Sequence, residues 1–259
     1  MLLEINGNKN MIYIFGDSHA YPGEYDWNCF SHKGWYEYFN EEIENYAHPG
    51  TGPQYSFKKF DEVLKKLTNK DKVIFVLSYP SRFDFDSPKP GHSNDISEYV
   101  VNNKELYDTS CKEYVDENYE CIKYLFKIMA NEISLINLKN ILYLKHISYV
   151  TKVKFFVMTV NKILHIIEYI NDDNFFLLND LFNISAKEIM NYNIETSFNL
   201  NFRDRRKNHL SRKNNENLFH IINYFFKGNK KMMIEKLNSF EINAFEFYEI
   251  CESTKFIYD

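Results

Sequence analysis

Apolar positions along the chain follow two different periods. Residues 11–16 (Met-Ile-Tyr-Ile-Phe-Gly) and 72–77 (Lys-Val-Ile-Phe-Val-Leu) are short, nearly unbroken runs of β-branched and aromatic residues. That pattern predicts strands buried on both faces. Residues 153–160 form a third such run. Elsewhere apolar residues recur three and four apart, which predicts amphipathic helices. Phe57, Phe60, Val63, Leu64 and Leu67 predict one over 54–67; Leu218, Ile221, Ile222 and Phe225 predict another over 214–226. Trp35, Tyr38, Phe39 and Ile43 have near-helical spacing and predict a helix over 33–46. A long helix is expected over 116–138, and a final helical extension over 230–250 after Gly228. Residues 47–53 carry two Pro and two Gly and must be a loop, and 78–97 is loop-like. Across 171–200, Asn and Asp interrupt short apolar runs and no element is predicted.

Strands alternating with helices predict a layered α/β fold with a mainly parallel sheet. No internal repeat and no Ser/Pro-rich linker divides the chain. One domain over 1–227 is expected, with a helical extension over 228–259 packed on it. Composition agrees: of 259 residues 44% are hydrophobic and 17% aromatic, far from a disordered chain. The net charge of −5 is not the basic footprint of a general nucleic-acid binder. Four cysteines lie far apart with no CxxC, so reduced, structural thiols are expected. No leader-like segment opens the chain, and no apolar run nears the ~20 residues that cross a bilayer. The expected location is therefore cytoplasmic, with no membrane partner.

Ligands of open parallel sheets bind beyond the carboxyl ends of the strands. Three segments should converge there: the turn after residue 16, the loop at 47–53 and the loop after residue 77. Ser18 stands in the first as a candidate nucleophile whose own N–H faces a developing oxyanion. Gly50 or Gly52 in the second offers another bare N–H, because glycine permits close backbone approach. A serine hydroxyl needs a base, and His209, just ahead of the 214–226 helix, is the best candidate. Each has a plainer reading. Ser18 suits a helix N-cap, the glycines suit an ordinary turn, and His209 suits a surface position beside the basic run at 203–207.

Ile14-Phe15-Gly16-Asp17-Ser18 resembles the first block of the SGNH/GDSL hydrolase family. Ala47-His48-Pro49-Gly50-Thr51-Gly52 resembles its glycine-bearing second block, and Asn208-His209-Leu210-Ser211 its last. Together these span roughly residues 11–226. The resemblance implies a flavodoxin-like three-layer α/β/α fold and ester hydrolysis through an acyl-serine. Ser18 is then the nucleophile, His209 the base, and the N–H groups of Ser18 and Gly50 the oxyanion hole. Asp17 and His48 are candidate substrate-binding residues lining the pocket, with bracing of the turn through backbone hydrogen bonds the plainer role for Asp17. Two positions depart from the family pattern. The third block usually supplies an Asn, but Ser78-Tyr79-Pro80-Ser81-Arg82 follows the strand at 72–77. That form looks like divergent SGNH-like proteins of tailed bacteriophages, and implies virion association if the source is a phage. Ser78 is then the substitute oxyanion donor. Arg82 either holds an anionic group of the substrate or pairs with Asp84 or Asp86. The family's Asp three residues before the His is replaced by Arg206, leaving Asp204 as a displaced acid. Trp27, Trp35, Tyr25 and Tyr36 are candidates for a sugar-binding platform, with core packing the alternative for Trp35.

No HExxH, EF-hand loop, paired His/Cys spacing, P-loop or GxGxxG occurs, so neither metal nor cofactor is expected. The family analogy implies a short acyl ester, such as an O-acetyl group on a polysaccharide. The alternatives are an inactive glycan-binding or virion structural protein, and acyl transfer by the same chemistry. Oligomeric state is open.

Overall fold

A computed structural model describes residues 10–22, 33–78, 120, 124, 133–159, 170–179, 210 and 212–238. Five strands form one sheet: β1 (Met11–Phe15), β2 (Glu42–Asn45), β3 (Lys72–Leu77), β4 (Lys154–Thr159) and β5 (Phe175–Leu178). Every pairing is parallel and the order is β2-β1-β3-β4-β5, the flavodoxin-like order. Among the described residues four helices accompany them: α1 (Pro53–Leu64), α2 (Ile133–Thr151), α3 (Arg212–Phe226) and α4 (Lys230–Asn238).

Alternation along each strand sorts side chains into two cores. Tyr13, Phe15, Val73, Phe75, Phe155 and Val157 face α1 and α2, meeting Phe60, Val63, Ile141 and Leu144. Ile12, Ile14, Ile74, Val76, Phe156 and Met158 face α3, meeting Leu218, Ile221, Ile222 and Phe225. Both faces of the sheet are thus covered and the layers are α/β/α. The first core is strongly aromatic: Phe60 meets Phe15, Phe75 and Phe155 edge-on, with centroids 5.4 to 5.9 Å apart. In α4, Met233 is buried against the second core and Leu237 packs beside it. Among the described residues no helix is long and apolar enough to cross a membrane.

Three elements differ from expectation. Residues 33–46 form a short 3-10 turn (Trp35–Tyr38) and then β2, in place of one helix. Tertiary bonds decide this: the Trp35 backbone N–H is taken by Asn215 Oδ1 at 3.0 Å, and its indole by the His19 carbonyl at 2.9 Å. α2 runs on to Thr151, past the expected end near residue 138. Leu142, Tyr149 and Val150 are exposed on it, which blurs its apolar stripe. β5 arises in a stretch where no element was predicted. Its Asn and Asp residues launch the strand: Asp172 Oδ1 accepts from the Asn174 and Phe175 amides, and Asn171 Oδ1 from that of Leu177.

Candidate active site

β1 and β3 are neighbours, yet their connections leave in opposite directions, to β2 on one side and β4 on the other. That reversal opens a crevice beyond their carboxyl ends. Gly16 forms its floor. A Cβ there would lie 2.7 Å from Val76 Cβ and 3.1 Å from the Val76 carbonyl oxygen, and its φ is +153°. Only glycine allows both the contact and the conformation.

The next three residues turn inward. Asp17 is fully buried, and Ser18 and His19 are each 3% exposed. Asp17 Oδ1 accepts the His19 backbone N–H at 3.0 Å and the His19 ring Nδ1–H at 3.1 Å. The Ala20 amide donates to the Asp17 carbonyl at 3.0 Å and closes the turn. His19, not a candidate in the sequence analysis, has its ring held by the Asp17 carboxylate, next to Ser18 in the chain.

The glycine-bearing loop docks on this turn through backbone bonds. The His48 N–H donates to the Gly16 carbonyl at 3.0 Å. The Thr51 hydroxyl donates to the His48 carbonyl at 2.7 Å, tightening the loop. Gly50 sits at φ +73°, the left-handed region where a side chain costs energy. Asn45, at the end of β2, donates to the Ala20 carbonyl at 2.8 Å and accepts from the Ala47 amide at 2.9 Å. One carboxamide thus fastens loop to turn. The His48 ring donates through Nδ1 to the Pro49 carbonyl at 3.1 Å. It lies between Tyr21 and Tyr55, with centroids 5.7 and 5.9 Å away. All three rings are half-buried.

Ser78 follows β3 and is buried at the same end of the sheet. Thr159, the last residue of β4, donates to Asn179 Oδ1 at 2.8 Å and joins the ends of β4 and β5. Five predicted site residues, Asp17, Ser18, His48, Gly50 and Ser78, therefore share the carboxyl end of the sheet. Three others, Arg82, Asp204 and His209, lie outside the described residues. So do Trp27 and Tyr25 of the expected aromatic platform, while Trp35 and Tyr36 are buried in the core.

Leu210 is described and is 1% exposed within the same core as Ala20 and Trp35. Its carbonyl accepts from Asn215 Nδ2 at 2.9 Å. The Asn215 oxygen accepts from Trp35 N–H, whose indole reaches the His19 carbonyl. Sequence reasoning missed Asn215, Asn45 and Thr51. An Asn pointing inward from an apolar helix face, as Asn215 does ahead of Leu218 and Ile222, was the available signal.

A cavity of about 450 Å³ opens at the opposite end of the sheet, lined by Lys154, Asp172, Phe176, Phe225, Met233 and Ile234. It is remote from Ser18. No protein-family model matches the chain, and no curated protein matches it.

Proposed function

We propose that the protein is a serine esterase of SGNH/GDSL type that removes a short acyl group, such as acetyl, from a carbohydrate. The observation that carries this reading is the position of Ser18. It lies in a tight, inward turn at the carboxyl end of β1, beside the β1/β3 crevice, with the Gly50 loop bonded to the same turn. In the proposed reaction Ser18 Oγ attacks the ester carbonyl and gives its proton to His209. The N–H groups of Ser18 and Gly50, with Ser78, hold the oxyanion. His209 returns the proton to the departing sugar hydroxyl, leaving an acyl-serine. Water, activated by the same histidine, then releases the carboxylic acid and restores the serine. Asp204 is the proposed orienting acid and Arg82 a substrate contact. The half-buried rings of Tyr21, His48 and Tyr55 suit the apolar face of a sugar, and their polar edges suit its hydroxyls.

Labelling with a fluorophosphonate probe tests this. Wild type should label, and Ser18→Ala should abolish labelling at an unchanged melting temperature. His209→Ala should slow it by at least about 10³-fold, the scale set by removing a triad member. A folded wild type that does not label would overturn the reading.

A second reading is a catalytically silent glycan-binding or virion structural protein on the same fold. The 3% exposure of Ser18 favours it, as does Arg206 where the family has its acid. Binding of acetylated oligosaccharides without labelling would support it.

A further inference from the structure

We propose that Asn215 is a positioning residue for the reacting pair, an inference that rests on the esterase reading above. Asn215 is fully buried in the first turn of α3. Its carboxamide meets two backbone groups, one near in the chain and one far. Oδ1 accepts from Trp35 N–H at 3.0 Å across 180 residues, and Nδ2 donates to the Leu210 carbonyl at 2.9 Å. These partners fix which end of the amide is which, since an N–H must face oxygen and a carbonyl must face nitrogen. Trp35 passes the connection on, its indole donating to the carbonyl of His19, the residue after Ser18. The residue after the candidate base and the residue after the candidate nucleophile are thus linked through one buried amide and one buried indole.

Side-chain chemistry makes Asn specific here. The position needs one acceptor and one donor on a short, planar group, which only a carboxamide supplies. Asp keeps the acceptor and loses the donor; Leu loses both and strands two buried backbone groups. Asn is also a poor helix former, so propensity does not explain it within α3. The relay holds the backbone immediately after each member of the proposed pair, at His19 and at Leu210. Misplacement of about 1 Å between reacting groups is enough to cost ~10²-fold in rate.

A double-mutant cycle with fluorophosphonate labelling separates positioning from folding. Asn215→Asp should slow labelling of folded protein roughly ten- to hundredfold in the wild-type background. In a His209→Ala background the same change should slow it less than about threefold, because the group it positions is already gone. Trp35→Phe is the second variant: it removes the indole donor along with three ring atoms of a fully buried side chain, should behave the same way in folded protein, and stays usable if Asn215→Asp does not fold. Of the two indole N–H signals, from Trp27 and Trp35, that of Trp35 reports the relay by NMR; Asn215→Asp should shift it and speed its solvent exchange. Equal slowing in both backgrounds would make the role structural and overturn the inference. So would labelling at wild-type rate in folded Asn215→Asp or Trp35→Phe. Each of these leaves the esterase reading intact, whereas a wild type that does not label removes both.

Discussion

At the amino ends of the strands, charged side chains do the fastening. Lys72 pairs with Glu41 at 2.9 Å, and Lys145 pairs with Asp172. Asp71 accepts from the Met11 amide at 3.1 Å and from the amide and hydroxyl of Thr68 at 2.7 and 2.9 Å. Lys154 donates to the Phe226 carbonyl, closing the last turn of α3. At the carboxyl ends the ties are mostly buried amides, hydroxyls and backbone groups: Asn45, Thr51, Thr159 and Asn215, with Asp17 and His19 holding each other. Exposed ion pairs contribute about 0–1 kcal/mol each and tolerate change. Buried polar networks cost more to break and fix geometry more narrowly. The amino end therefore combines tolerant ion pairs with one buried carboxylate, Asp71, whereas the ties at the carboxyl end are mostly exacting, and every described candidate for chemistry lies at the carboxyl end.

Gly16→Ala strikes that comparison hardest. The added methyl meets Val76 at 2.7 Å, and alanine must also adopt φ +153°. Overpacking and backbone strain together should cost about 3 kcal/mol. Urea unfolding should show this as a lower midpoint with an unchanged slope, and labelling should fall with it because the β1/β3 crevice is forced open. An alanine variant as stable as wild type would show that the crevice floor is not tightly packed.

Asp71→Ala makes the matching cut at the amino end. Asp71 is 5% exposed, and its loss removes the bonds it accepts from the half-buried Met11 amide and from the amide and hydroxyl of the exposed Thr68. About 2 kcal/mol of stability should go, within the usual worth of hydrogen bonds to a charged group. The labelling rate of the folded fraction should match wild type. A parallel fall in labelling would mean that the two ends are mechanically coupled and the contrast between them is false.

How far these features were legible in the sequence follows the same division. β3 was expected over 72–77 and is found there, because a strand buried on both faces is an apolar run with sharp ends. α1 and α3 were legible from Phe57, Phe60 and Val63, and from Leu218, Ile221 and Ile222, each stripe being set by one core. β2 was hidden: Trp35, Phe39 and Ile43 mimic a helical stripe, and what unwinds it is a bond from a residue 180 positions away. β5 was hidden because Asn171 and Asp172 read as breaks when they are the caps that start it. The candidate site was named from residue types, and the structure gathers its described members, Asp17, Ser18, His48, Gly50 and Ser78, at one end of the sheet. Its ties were harder to read, because Asn45 and Asn215 act through distant backbone groups; only Asn215, polar on the apolar face of α3, left a trace.

The smallest effect expected is that of acid on the amino end. In Glu41, burial raises the carboxyl's pKa, but the hydrogen bond and charge of Lys72, together with its own backbone N–H and Lys227, outweigh it. The net shift is downward from 4.5. The unfolded chain therefore binds the proton more readily than the folded one, and stability rises with pH between the two values. The contribution is complete above about pH 4.5 and disappears as pH falls through the lower folded value. The pair is partly exposed, at 18% for Lys72 and 31% for Glu41, so it should be worth at most about 1 kcal/mol. Urea midpoints of wild type and Glu41→Gln should differ most near neutral pH and converge as pH falls through the lowered folded value. Added salt should shrink the neutral-pH gap, as it does for any solvent-screened pair. A gap that persists at low pH, or that salt leaves untouched, would mean Glu41 acts through packing, and the amino end would then be as exacting as the other.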